Sequence, residues 1–240
     1  MIDLNASHTK RDVIVDQLLK MVETLPVGEP IPAERRLSEE FGVARMTVRV
    51  AIDGLVREGW LERRRGSGTF VAQPRIAQPL TLTSFSHDMR LRGMQPASRS
   101  LRVRTRKASP RIGKELKISP GTGVVVISRV RLADGVPMAI ETAHLPSYLV
   151  PGLTAELLKD SSLYALLESR YQVRITEGEQ SVEATVVDEQ EASLLEVPAY
   201  SPAFLIERTT WDEKQRIEYT RSIYRGDRYR LLAHLHRGTV

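Results

Sequence analysis

Several arginines in this chain sit where a guanidinium group could do chemistry. Arg45, Thr47 and Arg49 open a segment whose apolar residues, Val48, Ala51, Ile52, Leu55 and Val56, recur at helical spacing. The three polar side chains fall off that stripe, so they project from the first turns of an amphipathic helix. An arginine so placed suits a guanine edge, whose O6 and N7 accept both arms of its fork. Arg35 or Arg36, one helix earlier, can reach a backbone phosphate. Arg63, Arg64 and Arg65 precede Gly66-Ser67-Gly68, a tip small enough to approach a minor groove while the arginines pair with phosphates. Any one of these arginines also fits a solvated face. The whole set, in this order, points to a duplex.

A second group lies further on. Arg129 and Arg131 are two apart in a valine-rich run, so both point to one face of a strand. Two adjacent guanidiniums suit a phosphate, although such a pair more often belongs to a solvated or salt-bridged face. Ser84 to Ser86 and Ser162 each precede a helical pattern, where hydroxyls and unpaired N–H groups favour anions. Phe85 and Tyr164 also fit a hydrophobic core. Glu141 and Glu218 raise the possibility of acid–base catalysis, but no nucleophile, base and orienting group complete it, so no enzymatic activity is expected. His8, His87, His144, His234 and His236 have no metal-ligand spacing with acidic partners. No metal and no cofactor are expected.

The elements that must position these residues can be read from the punctuation. Ile14, Leu18, Met21, Val22 and Leu25 predict a helix over about 10–25, stopped by Pro26, Gly28 and Pro30. Pro32 can open a second, short helix through Phe41, with Gly42 just past its end. A third helix runs over 45–58 and ends at Gly59. Two short β-rich runs then flank residues 65–68 as a hairpin. Three helices and a hairpin in this order make a winged helix-turn-helix, assigned to residues 1–72. Residues 73–81, with Pro74 and Pro79, predict an extended linker. Residues 82–240 alternate hairpins with separate helices, near 110–118, 162–171 and 188–195, which predicts an α+β domain with a mainly antiparallel sheet.

Bulk composition bounds the remainder. The chain has 240 residues, 41% hydrophobic and 27% charged, with no cysteine, so disulfides and cysteine-ligated metals are excluded. No apolar run approaches a membrane span, and the N-terminus lacks a signal-peptide pattern, so a cytoplasmic location is expected. The net charge is +5. Residues 1–75 hold twelve basic and eleven acidic side chains, so the charge surplus lies mostly in the second domain.

Two stretches, PAERRLSEEFGVARMTVR at 32–49 and RGSGTFV at 65–71, resemble the GntR superfamily, specifically its HutC subfamily. The chain departs from that pattern at Ala44, where the family usually carries Ser or Thr as a helix cap. From about Leu80 onward the chain resembles the UTRA effector domain, with its chorismate-lyase-like fold. Within that group it is similar to regulators of N-acetylglucosamine use, through LTSFSHDMR at 82–90, RVR at 129–131, MAIE at 138–141, SLY at 162–164 and YRGDRY at 224–229. Ser86 stands where relatives often have Thr; the hydroxyl is kept. The resemblance implies a homodimeric repressor on a palindromic operator in double-stranded DNA, modulated by an amino-sugar phosphate such as GlcNAc-6-phosphate or GlcN-6-phosphate. By the same resemblance, Phe85, Ser86, Arg129, Arg131, Ser162 and Tyr164 hold the phosphate end, and Glu141, Glu218 and Tyr224 contact the sugar. The alternatives are a HutC-type regulator answering to an unphosphorylated organic acid and, less favoured, a lyase-like enzyme.

Overall fold

A computed structural model describes residues 10–64, 66–72, 76–79, 81–159 and 161–232. Arg65, His8, His234 and His236 lie outside the described residues. The chain divides into two compact units, Met1–Ile76 and Ala77–Val240.

The first unit holds α1 (Lys10–Thr24), α2 (Glu34–Phe41), α3 (Arg45–Glu58), β1 (Leu61–Arg64) and β2 (Gly68–Val71). Ile14, Leu18 and Val22 of α1 close over Leu37 of α2 and the Val48, Ala51, Ile52 and Leu55 stripe of α3. Leu61 and Val71 seal the end of this core from the hairpin. Gly42 and Gly59 take the left-handed conformation (φ 65° and 80°) that ends α2 and α3, which a Cβ would disfavour. Ala44 gives α3 no side-chain cap. The second helix starts later than Pro32 suggested: Ala33 is its cap, and Pro30 bridges to Phe70 while the Ile31 N–H donates to the Thr69 carbonyl. Residues 30–31 are therefore held extended beside the hairpin rather than released to the helix.

The chain passes into the second unit through β3 (Ile76–Pro79) and continues with α4 (Phe85–Leu91), β4 (Pro96–Lys107), α5 (Pro110–Leu116), β5 (Gly123–Ala133) and β6 (Val136–Pro146). A short 3-10 turn leads to α6 (Ala155–Leu158), α7 (Leu163–Tyr171), β7 (Glu177–Val186), α8 (Glu189–Leu195), β8 (Pro202–Trp211), β9 (Arg216–Arg225) and β10 (Tyr229–Leu232). Six strands form one sheet in the order β4-β5-β6-β9-β8-β7, and every neighbouring pair is antiparallel. Residues 76–79, expected as linker, form a ladder with β10 instead: an extended chain satisfies its backbone groups where a free strand is available.

Both faces of the sheet centre are covered, which is why β5 is buried almost end to end. On one face Val125 and Ile127 of β5 join Ala143 and Leu145 of β6 in a core with Leu163 and Leu167 of α7. The next two residues of that same face on β5 are Arg129 and Arg131. The face thus changes from apolar to cationic half-way along one strand. The opposite face packs Val124 and Tyr219 with Leu116 of α5, and Ile223 with Ala192 and Leu195 of α8.

Candidate functional sites in the two units

All nine residues proposed from sequence for the second unit, Phe85, Ser86, Arg129, Arg131, Glu141, Ser162, Tyr164, Glu218 and Tyr224, line a single cavity. The sheet register explains the convergence. Arg129 lies opposite Glu141, Glu141 opposite Ser222 and Ser222 opposite Ile206, while Arg131, Ala139 and Tyr224 make the adjacent row. Glu218, Thr220, Ser222 and Tyr224 alternate along β9, so all four face the cavity. The first residues of α4 and α7 close it, with the Ser162 and Ser84 hydroxyls 3.2 Å apart. The α7 ladder begins with the Leu166 N–H on the Ser162 carbonyl, so the preceding N–H groups have no intrahelical acceptor.

The charged groups are partly committed. Arg129 Nε donates to Glu141 Oε1 at 2.6 Å, and Nη2 lies 2.5 Å from the same oxygen. Arg131 donates through Nη1 to Ser98 Oγ at 2.6 Å and through Nη2 to Ser86 Oγ at 2.8 Å, and its guanidinium lies over the Phe85 ring at 4.5 Å. Each arginine nevertheless keeps one buried donor without a protein partner, Nη1 of Arg129 and Nε of Arg131. The enclosed space is about 50 Å³, far below the ~300 Å³ of an ordinary small-molecule site, so a hexose-sized ligand has to displace side chains.

Burial and proximity tune the ionisable groups. Burial, and then the Arg129 charge, lower Arg131 to about 10, which leaves it cationic at neutral pH. Burial pushes Glu141 up, but Arg129 and Arg131 outweigh it and hold the carboxyl below its ordinary value. Glu218 moves the other way, raised by burial and then by the Glu141 charge, with Tyr164 and Arg208 opposing. Tyr164, which donates to Glu218 Oε2 at 3.0 Å, is pushed well above 10 by burial and then by that carboxylate.

A stability prediction follows from Glu218. Between its ordinary value of 4.5 and its raised folded value, the folded chain keeps a proton that the unfolded chain has lost, so wild-type stability falls as pH rises through that window. Glutamine does not titrate. Glu218→Gln is therefore expected to gain on wild type in thermal melts as pH rises above the ordinary value of 4.5, whereas a pH-independent difference would show that burial does not perturb this carboxyl.

Arg208 was missed from sequence. It donates through Nε and Nη2 to Gln180 Oε1 at 2.8 and 2.6 Å, and through Nη1 to the Thr83 carbonyl at 2.9 Å, joining the segment before α4 to the far edge of the sheet. The alternation Ile206, Arg208, Thr210 placed these residues on one face. What could not be read was that β9 separates β6 from β8, which turns that face toward the cavity. Thr220 and Ser222 of β9 were missed as lining residues for the same reason, and Asp88 of α4 was missed as well, whereas Ser84 lies in the segment expected to favour an anion.

In the first unit Arg45 and Arg49 are exposed on α3, Thr47 is half-buried, and Arg35 and Arg36 are exposed on α2. Arg45 and Arg49 have no acidic partner among the described residues, and Arg35 lies a loose 4.0 Å from Glu39. Arg35, Arg45, Arg63, Arg64, Gly66, Ser67 and Gly68 line one concave surface between the starts of α2 and α3 and the hairpin. Two arginines assigned to phosphates are already occupied. Arg63 pairs with Asp53 of α3 at 2.7 Å and with Glu34 of α2 at 3.4 Å, and Arg64 pairs with Glu62 at 2.7 Å while its guanidinium covers the Phe70 ring at 4.2 Å. A phosphate would have to displace those carboxylates. Gly66 and Gly68 hold positive φ (74° and 118°) at the hairpin tip.

Among the described residues no cluster of His, Asp and Glu could hold a metal ion, and no helix is long and apolar enough to cross a membrane.

Comparison with known proteins agrees with this division of labour. Residues 10–71 match the family described as bacterial regulatory proteins, gntR family, and residues 91–230 match the UTRA domain. The HTH-type transcriptional repressor NagR of Bacillus subtilis is 37% identical over 228 residues, covering 93% of both chains. The HTH-type transcriptional repressor PhnF of Mycolicibacterium smegmatis is 35% identical, covering 95% of this chain and 93% of that protein. The crystal structure of PhnF from Mycobacterium smegmatis superposes with a TM-score of 0.68, at 35% identity over 94% of this chain and 100% of that one. The chain therefore belongs to the GntR family, as a DNA-binding transcriptional repressor of the HutC type with a winged helix-turn-helix followed by a UTRA domain.

Proposed function

We propose that this repressor is a homodimer that reads a palindromic operator and is controlled by an amino-sugar phosphate, GlcNAc-6-phosphate or GlcN-6-phosphate, bound in the Arg129/Arg131 cavity. One observation carries the reading: Arg129 Nη1 and Arg131 Nε are buried donors without protein partners, and both belong to residues that line a cavity of polar walls. Unpaired buried donors are costly and are kept where something else completes them. A phosphate supplies several acceptors with matching charge, and the Ser86 and Ser162 hydroxyls and the free amides of α7 add donors. Glu141, Glu218 and Tyr224 supply acceptors for sugar hydroxyls and, in GlcN-6-phosphate, for the ammonium group. The resemblance to regulators of N-acetylglucosamine use agrees. In the other unit Arg45, Thr47 and Arg49 enter the major groove, Arg35 and Arg36 meet phosphates, and the tip around Gly66, Ser67 and Gly68 approaches the minor groove, with Arg63, Arg64 and Arg65 beside it. Work on DNA places the protein in the cytoplasm.

Effector and operator are coupled reciprocally: a ligand that lowers DNA affinity is itself bound more weakly by the DNA-bound repressor. Isothermal titration with both sugar phosphates is the test, with unphosphorylated GlcNAc as reference. Saturable heat with a phosphorylated sugar, much reduced for GlcNAc, is expected. Equal binding of GlcNAc, or binding of an organic acid alone, overturns the assignment.

A further inference from the structure

We propose that Met46 and Val50 are base-reading residues that recognise the C5-methyl groups of thymines lying among guanines taken by Arg45 and Arg49. The inference rests on α3 being the helix that enters the major groove, and its argument is the chemistry of that helix's exposed face. Val48, Ala51 and Ile52 are buried in the head. On the other side of the first two turns stand Arg45 with Arg49 and, beside them, Met46 with Val50, each pair four residues apart and so stacked one turn above the other. Met46 is 64% exposed and Val50 41%. Single exposed apolar residues are unremarkable, but two in one stripe, next to two guanidiniums that have no acidic partner among the described residues, form a patch with an alternating donor and methyl character.

That composition restricts what the helix can read. Guanidiniums donate to guanine, and apolar groups contact thymine methyl. Adenine calls for an amide and cytosine for a carboxylate, and neither type occurs on the exposed face of these two turns. The first carboxylate along that flank, Asp53, is held by Arg63 at 2.7 Å. The half-site therefore presents guanines and thymines to Arg45, Met46, Arg49 and Val50, while the Thr47 hydroxyl, which serves donors and acceptors alike, adds no restriction of its own. Met46 suits the task, because an unbranched thioether chain adapts to the position of a methyl group.

The experiment uses the full-length chain. Duplexes enriched from a random pool provide the half-site, which is expected to carry thymine next to guanine. Replacing single thymidines by deoxyuridine, which removes only the methyl group, should weaken wild-type binding about fourfold at each contacted position. Met46→Ala should bind the thymidine duplex more weakly and no longer distinguish it from the deoxyuridine duplex at one of those positions. Met46→Leu should keep the distinction. Since Met46 is exposed, neither substitution should alter the melting of the head. Wild-type protein indifferent to every methyl group, or Met46→Ala that retains full sensitivity, overturns the proposal alone. Failure to enrich any sequence overturns the placement of α3 in the groove with it.

Discussion

Glu141→Ala is expected to lose about 3–5 kcal/mol of stability in denaturant unfolding, because it strands a charge inside the second unit. Arg129 is almost fully buried, and Glu141 Oε1 accepts from both its Nε and its Nη2. With the carboxylate gone, the guanidinium keeps its desolvation penalty and loses its compensation. The neighbouring Arg131 makes matters worse, since burial and then the Arg129 charge already lower its own value. Replacing both partners, as in Arg129→Met with Glu141→Leu, should recover most of the loss, because neither member of the pair is then left charged and uncompensated, while Arg131 keeps its bonds to Ser98 and Ser86. Inorganic phosphate at millimolar concentration should also raise the single variant's melting temperature more than that of wild type, since an anion takes the vacated place. A Glu141→Ala loss below about 1 kcal/mol would mean that water reaches Arg129 freely and that the cavity is not the enclosed site described above.

Arg131→Ala is expected to abolish the response to effector while sparing DNA binding. Arg131 is 3% exposed, spans from Ser98 on the edge strand to Ser86 in α4, and carries the Phe85 ring against its face. Removing it deletes the donor proposed for the phosphate and breaks the tie from Ser98 to Ser86 of α4 at once. Truncating one partner of a buried, hydrogen-bonded charge contact costs about 2–5 kcal/mol of binding, a weakening of roughly thirtyfold to several thousandfold. Operator binding in the absence of effector, read by mobility shift, should match wild type, because the recognition helix belongs to the other unit. The variant should remain on the operator at sugar-phosphate concentrations that displace the parent. Arg131→Lys is not expected to rescue, since a single ammonium cannot reproduce a planar fork that reaches two hydroxyls and stacks on a ring. Normal release of Arg131→Ala by the effector would remove this residue from the site.

The two units differ in how far they could be read without coordinates. The head is built from local signals. Helical periodicity marks the buried stripe of α3, and glycines stand where a left-handed residue ends α2 and α3, so the side chains left facing outward, Arg45 and Arg49 among them, follow from the period alone. Arg129 and Arg131 share a face for an equally local reason, the two-residue repeat of a strand. These features depend only on residues a few positions apart, and short-range geometry is set by backbone sterics.

What tertiary structure decided was which groups meet. The strand order inserts β9 between β6 and β8, and this brings Glu218 and Tyr224 beside Glu141 and adds Arg208 to the same cavity. Nothing in the spacing of β5, β6, β8 and β9 along the chain specifies that order. It also decided which cations are spoken for: Arg63 is tied to Asp53 and Glu34, and Arg129 to Glu141, whereas Arg45 and Arg49 stay free of acidic partners among the described residues. An arginine looks the same in a sequence whether it is paired or waiting. Its partner is chosen by distances between segments, and those exist only once the hydrophobic faces have packed.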